Sequence, residues 1–422
     1  MEAPQRPLGT SVLARLNHPV AASVIALLAW AGFVLARLNV WAKGDITYFI
    51  MSGVTYSHSA QMYPRIQHVS SAGYDGQFYY RFALNPFNWH PTAYGITVDH
   101  NYRYTRIGYP LVTWLLSAGH AAAVPVMLVM VNLACVAAIG WLGAVFARDS
   151  GRHALWGLLF VAYFGLVISV GRDTAEPLAD ACLLAALLLY RRGRYVWAAL
   201  LLMYGVITNE PILIMAVGIA LTRLWAMFVR PRLRRDAPRV KPGLEDLIWV
   251  LPGVAYVVLQ VAEKLIVPGT SGGSSDVTSN ITVPFTALVR GLFTDFRLMS
   301  WTHLGMYDFN LIEFIALAVA VVSGLLVLRA TTAPVHERVG FACFVLIEIV
   351  MASWQYWGSV FGDGRTYIES FLMAIVLLLA TPAARPDGAK WWQAVSSKRL
   401  GSIAAVAVVV LILVARRRIL FQ

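Results

Sequence analysis

The feature that most constrains this chain is the recurrence of long runs with almost no charge. The stretch from Ala154 to Val170 carries none, and the stretch from Leu311 to Leu328 carries only Glu313. Runs of about 17–25 apolar residues match the thickness of a bilayer's hydrocarbon layer. Apolar residues make up 59% of the 422 residues and charged residues 13%, against about 25% charged in a soluble domain. The fold class this predicts is all-α: a polytopic transmembrane helical bundle, forming one domain over residues 1–422.

Net charge is +12. In a soluble protein that would suggest nucleic acid. Here the basic residues are read as markers of cytoplasmic loops, and no nucleic-acid partner is expected. The three cysteines, Cys135, Cys182 and Cys343, all lie in apolar runs, which argues against a disulfide framework or a metal cluster. Residues Met1 to His18 carry Arg6 and Arg15 ahead of a long apolar segment. That segment, Pro19 to Trp41, is too long for a signal-peptide core and reads as a retained first span.

Roughly eleven spans follow from the apolar runs: 19–40, 121–146, 154–171, 175–190, 195–208, 211–229, 246–266, 311–328, 339–356, 367–381 and 400–415. If they alternate, four basic loops share one side with the N-terminus. These loops hold Arg148 and Arg152; Arg191, Arg192 and Arg194; the cluster from Arg230 to Lys241; and Arg385, Lys390, Lys398 and Arg399. That side is expected to be the cytoplasm of a plasma (inner) membrane. Tyr109 to Ser117 is apolar but short, and reads as interfacial or re-entrant. The tail Arg416–Arg418 falls on the outer side, against the charge rule.

The outer face then holds a long first loop, 42–106, expected to mix helix and loop. It also holds the turn Gly171-Arg172-Asp173-Thr174, the turn Thr208-Asn209-Glu210-Pro211, a second long loop, 267–310, and Gly362-Asp363-Gly364-Arg365. The first loop is dense in aromatics around Gly73-Tyr74-Asp75-Gly76-Gln77-Phe78-Tyr79-Tyr80-Arg81. Aromatics favour the membrane interface, and they also stack on sugar faces. Asp75 can sit at a tight turn facing a cleft; the competing reading is an Asx-turn that caps the next helix. Asp173, Glu176 and Asp180 are spaced three and four apart, one helical face. An ionisable group at membrane depth usually faces a cavity or a partner, and an ion pair with Arg172 is the structural alternative. Glu210 ahead of Pro211 suits helix capping. Arg365 opens a span four residues before Glu369, so it is a candidate either for pairing with that residue or for gripping a lipid phosphate. His58, His68, His90 and His100 crowd the first loop without a compact zinc spacing. Asn280-Ile281-Thr282 fits a glycosylation sequon. Walker A loops, dinucleotide fingerprints and Gly-x-Ser-x-Gly elbows are absent from the sequence.

Taken together, this layout resembles the integral-membrane glycosyltransferases of the C superfamily, which use polyprenyl-phosphate-linked sugars. Tyr74-Asp75-Gly76 is similar to the aromatic-Asp-Gly motif in their first outer loop. Thr208-Asn209-Glu210 resembles their short turn ending in Glu before a span, with Asn209 where Lys or Arg is usual. Gly364-Arg365-Thr366-Tyr367 resembles their late Arg-Tyr motif. The resemblance implies a sugar donor on a polyprenyl phosphate, a glycan, lipid or protein acceptor, and contact with membrane lipids. It implies Asp75 as general base and Arg365, with Arg172, at the donor phosphate. Glu176, Asp180 and Glu210 would orient the acceptor or Arg365, and Tyr74, Gln77, Tyr79, Arg81 and Asp173 would line the site. Members differ in metal dependence, so no cofactor is required and a divalent ion stays open. Two alternatives remain beside it: a lipid or lipid-linked-sugar flippase or transporter, and a non-catalytic relative.

Overall fold

The computed structural model describes residues 12–58, 61, 65–233, 242–267, 281–300, 306–351, 365, 367–384, 388 and 390–415. Helix dominates because the apolar runs have no water with which to satisfy their backbone groups, and a helix satisfies them internally. The first helix, α1 (Pro19–Val40), starts on a His18 N-cap whose ring accepts a hydrogen bond from the Val20 amide, with proline at the opening turn. The first outer loop then holds two very short strand pairs and a short helix, α2 (Gly76–Leu84). Strands β1 (Ser52–Gly53) and β2 (His68–Val69) pair in parallel, Ser52 with His68 and Gly53 with Val69. Strands β3 (Thr92–Ala93) and β4 (Ile96–Thr97) form an antiparallel hairpin. The loop thus mixes helix with strand, and the β3–β4 hairpin reverses the chain.

Helix α3 (Gly108–Leu116) covers the segment read as interfacial. Its nine residues reach about 14 Å, well short of a bilayer. The bundle continues with α4 (Val124–Asp149), a 3-10 turn (Ala154–Val161) followed by α5 (Gly165–Gly171), then α6 (Glu176–Arg191), α7 (Tyr195–Thr208) and α8 (Leu213–Leu224). After these come α9 (Leu251–Ile266), α10 (Thr286–Leu298), α11 (Met306–Val327), α12 (Val335–Val350), α13 (Ile368–Leu379) and α14 (Ser397–Ala415).

Each of the eleven predicted apolar segments contains helix among its described residues, with 154–171 broken at residues 162–164. Among the described residues, five helical stretches are long and apolar enough to cross a membrane: Pro19–Val40, Ala121–Asp149, Glu210–Leu233, Ile248–Ile266 and Tyr307–Val327. A sixth is added if Ala154–Val161 and Gly165–Gly171, which bend by 68° at their junction, make one broken span. Among the shorter apolar helices, α13 is enclosed by protein. All twelve residues of α13 are buried, so its length answers to its neighbours rather than to lipid. These features make the chain a helical membrane protein.

Long-range contacts sort the loops to two ends of the bundle. At one end His153 bonds the Leu13 carbonyl and the Ala154 amide donates to Asn17. Arg191 grips Glu337 through two bonds of 2.6 Å, and Arg223 pairs with Asp246. Also at that end, buried Arg152 donates to the carbonyls of Leu379, Thr381 and Val395. The first long loop, the 172–174 turn, Glu210 and Arg365 meet at the opposite end. The core between them is a continuous apolar cluster of residues from α1, α4, α6, α7, α12 and α13. Cys135, Cys182 and Cys343 are free thiols within it or beside it.

Candidate functional site

The motif in the first loop is held by its glycines. Gly73 has φ +80°, and a Cβ on it would lie 2.5 Å from the Gly53 amide and the Met51 carbonyl. A Cβ on Gly76 would lie 2.4 Å from the Arg172 carbonyl and 2.7 Å from the Ile50 carbonyl. The first turn of α2 is therefore pressed between two backbone segments, where only glycine fits. That packing brings the Tyr74-Asp75 pair against the 172–174 turn.

Asp75 is the N-cap residue of α2, but its side chain makes no capping bond. The capping reading is thus replaced by a different role. Its Oδ1 lies 2.8 Å from Arg103 Nη2, and its Oδ2 accepts from Arg365 Nη1 at 2.6 Å. Arg103 is in turn fixed by Asp99 through bonds of 2.9 and 3.1 Å and lies over the Phe78 and Tyr102 rings. Arg365 reaches onward to Glu176, with Nε 3.2 Å from Oε1. The other oxygen of Glu176 accepts from Thr174 and, at 3.3 Å, from Ser169. Arg172 and Arg365 both lie over the Tyr74 ring, at 4.5 and 5.1 Å. Burial by itself would raise the Asp75 carboxyl. The Arg365 and Arg103 guanidiniums outweigh it and hold that carboxyl well below the usual carboxylate range.

Three further predicted residues border this cluster with unsatisfied polar atoms. Tyr79 is buried edge-on against Tyr109, and its hydroxyl has no hydrogen-bond partner among the described residues. Burial pushes that phenol up, with nearby Arg106 opposing. Asp173 is wholly buried in the left-handed region at φ 47°, and neither of its oxygens is hydrogen-bonded among the described residues. Burial drives its carboxyl well above the usual range, against the attraction of Arg37. Asp180, one turn into α6 from Glu176, is also wholly buried with both oxygens unbonded, and its charged neighbours are Glu176 and Glu369.

The other predicted residues are employed nearby. Glu210 Oε2 takes Arg106 Nε at 2.7 Å and Oε1 faces Thr105 at 3.4 Å, so it clamps the end of the first loop rather than capping its own helix. Gln77 accepts from the Gly53 amide and donates to the Ala72 carbonyl, so its amide closes the loop on itself. Arg81 donates to the His90 carbonyl and lies over the Phe82 ring at 4.5 Å, which turns it toward the distal half of the loop, away from Asp75. Gln77 and Arg81 are thus occupied in shaping the loop. The ion partners of Arg365 are Asp75 and Glu176, not Glu369.

Sequence reasoning missed Arg103, Asp99, Arg106 and Arg37. Asp99 and Arg103 stand four apart, the spacing at which opposite charges meet on one turn. Arg37 interrupts an otherwise uncharged span, a signal of function in membranes; its guanidinium sits over the Tyr48 ring at 4.9 Å. Among the described residues no three His, Cys, Asp or Glu side chains are placed to hold a metal ion. Gly362, Asp363, Gly364, Thr366, Asn280 and Arg416–Arg418 lie outside the described residues. No family model, curated protein or solved structure matches this chain.

Proposed function

We propose that this chain is an integral-membrane glycosyltransferase that moves a sugar from a polyprenyl phosphate to an extracytoplasmic acceptor, with inversion. One observation carries the reading. Two segments that separately resemble glycosyltransferase motifs, around Asp75 and Arg365, converge with Glu176 and Arg172 on a single buried ion cluster at one end of the bundle. An anion-binding arginine beside a carboxylate and an aromatic ring suits a phosphate-linked sugar.

In this reading the donor phosphate competes with Asp75 for Arg365. As Arg365 turns to the phosphate, Asp75 Oδ2 is released and its basicity rises, while Arg103 keeps the carboxylate oriented through Oδ1. Asp75 then takes the proton of an acceptor hydroxyl. The acceptor oxygen attacks the anomeric carbon from the face opposite the phosphate, and the anomeric C–O bond to phosphate breaks. The polyprenyl phosphate leaves with both bonding electrons, its charge held by Arg365 with Arg172 close by. Tyr74 presents the wall on which the sugar packs.

The proposed architecture is the eleven-span bundle of the C superfamily in a plasma (inner) membrane, with the N-terminus cytoplasmic and the cluster outside. The described basic residues at the opposite end, Arg148, Arg152, Arg191, Arg192 and Arg194, support that orientation. Labelling of a cysteine placed at Ser150 from the outside would overturn it. The function is tested with purified protein in liposomes carrying a radiolabelled polyprenyl-phosphate sugar and a hydroxyl acceptor mixture. Label is expected in a new glycoside, with free polyprenyl phosphate formed in equal amount. Label that crosses the bilayer still attached to its lipid would establish the flippase reading instead.

A further inference from the structure

A pocket of different character lies at the far end of α2 from the ion cluster. Asp75 stands at the N-terminal end of that helix and Asn85 at its C-terminal end. Nine residues of helix, about 14 Å, separate the two. Beyond α2, Asn85, Phe87, Asn88, Trp89 and His90, with Ile266 from the end of α9, line a pocket of about 340 Å³. Ligand pockets span about 300–1,000 Å³, so this one suits a small ligand. Its lining contains no lysine, arginine or carboxylate.

Two consecutive Asx turns make its polar side. Asn85 Oδ1 accepts from the Phe87 amide at 3.0 Å, and Asn88 Oδ1 accepts from the His90 amide at 3.2 Å. A backbone N–H can only donate, so each bond identifies the side-chain oxygen and leaves the NH2 group over. Neither NH2 group has a hydrogen-bond partner among the described residues.

The aromatic side is held from behind. The Trp89 indole donates to the Pro86 carbonyl at 3.1 Å, and its ring lies against Tyr104 at 5.8 Å. Phe87 is 73% exposed, yet its ring is fixed edge-on by Trp114 of α3 at 5.7 Å. Glu263 precedes Ile266 by one turn on the same face of α9 and lies within electrostatic reach of Tyr104. It is buried, and its Oε1 has no hydrogen-bond partner among the described residues. A buried acceptor left unpaired costs free energy that a donor from a ligand would offset.

We infer that this pocket binds a neutral carbohydrate. A sugar presents an apolar C–H face to an aromatic ring, and Trp89 and Phe87 offer such rings. Its hydroxyl and ring oxygens accept from the spare amide groups of Asn85 and Asn88. Its hydroxyls also donate, and Glu263 behind Ile266 is an acceptor without a partner. A few placed polar groups on an aromatic wall fix both orientation and specificity. A phosphate-bearing lipid headgroup would meet no cation in the lining and would bring negative charge toward Glu263. The site stands apart from Asp75 and does not rest on sugar transfer: a flippase or a non-catalytic relative with these residues would bind the same ligand.

The test is saturation-transfer NMR titration of the full chain in a sugar-free detergent. Its probes are mannotriose, maltotriose, chitotriose and glycerophosphoethanolamine, the last standing in for a lipid headgroup. At least one of the neutral trisaccharides is expected to bind the wild type. Asn85→Asp and Asn88→Asp keep the oxygen that holds each turn and delete only the NH2 donors. Combined, they are expected to weaken that binding on the order of tenfold, as for two lost hydrogen bonds. Phe87→Ala removes an exposed ring and should weaken it as well, whereas Val54→Ala, exposed elsewhere on the same loop, should have no effect. Binding by none of the three trisaccharides would overturn the inference. So would trisaccharide binding unchanged in both the paired asparagine variant and Phe87→Ala, or glycerophosphoethanolamine bound in preference to every trisaccharide. Because binding is read without turnover, its outcome is separate from that of the sugar-transfer assay.

Discussion

Asp75→Asn is the most informative perturbation of the cluster, because it keeps the shape of the side chain and removes only its charge. In the native state the carboxylate sits between two guanidiniums, 2.8 Å from Arg103 and 2.6 Å from Arg365. For unit charges about 4 Å apart at an effective dielectric constant of about 20, each attraction is about 4 kcal/mol. Relief of the buried carboxylate's desolvation offsets much of that sum. Removing one partner from a buried ion pair typically costs about 3–5 kcal/mol, and one edge of the new amide would present N–H donors to a guanidinium that also donates. We therefore expect a stability loss of about 3 kcal/mol, measured by chemical or thermal unfolding in detergent, and a fall in transfer of about 10²–10⁴-fold per folded molecule. The double variant Asp75→Asn/Arg365→Gln separates the two effects. With the repelling guanidinium gone it should recover on the order of 2 kcal/mol of stability while transfer stays lost. Wild-type transfer by the single variant would refute the base assignment. Recovery of stability and transfer in step would make Asp75 a structural member of the ion cluster and nothing more.

Gly76→Ala places a methyl group 2.4 Å from a backbone carbonyl that cannot turn aside; a loss on the order of 1–3 kcal/mol and a comparable loss of transfer should appear in melts and turnover assays. Glu337→Gln, at the opposite end, breaks the two-bond grip of Arg191; unfolding should show a loss of about 3–5 kcal/mol, with transfer per folded molecule unchanged. His336 is held neutral, its imidazole pushed down to about 4 by burial and then by Arg191. An unfolded histidine titrates near 6.5, so the unfolded chain binds more protons between the two values, and stability falls as pH drops through that window. The full effect is about 3 kcal/mol, from about 1.4 kcal/mol per unit. His336→Gln should flatten this acid dependence, and identical pH–stability curves for variant and wild type would sink the assignment.

Much of the helical layout was legible because a charge-free run in lipid leaves the backbone little choice but helix. Span lengths were less legible. Apolarity reads the same whether a helix faces lipid or its neighbours, so α13, buried on every side, looked like any other span. The ion cluster was legible where a residue type was out of place: Asp75 between Tyr74 and Gly76, Glu176 at the head of an apolar helix, and Arg365 ahead of an apolar run. Arg103 and Arg106 were not, because arginine in an aromatic outer loop reads as surface charge. Only the fold turns them inward, one onto Asp75 and the other onto Glu210. The loop-closing bonds of Gln77 and Arg81 were not legible either, because polar residues beside a motif read the same whether they face a cleft or hold the loop together.

The carboxylate and arginine at the centre of the site are 290 positions apart in sequence. During synthesis Asp75 leaves the ribosome while most of the bundle is still untranslated, and Arg365 arrives only as the chain nears its end. Until then Arg103, supplied locally by the same loop, is the cation at hand to shelter that carboxylate. The nascent chain thus carries a temporary partner for its own buried charge, and the full ion cluster closes only once Arg365 and α13 are in place. A chain stalled before that point would hold the Asp75 carboxylate with its local arginine but without the distant one.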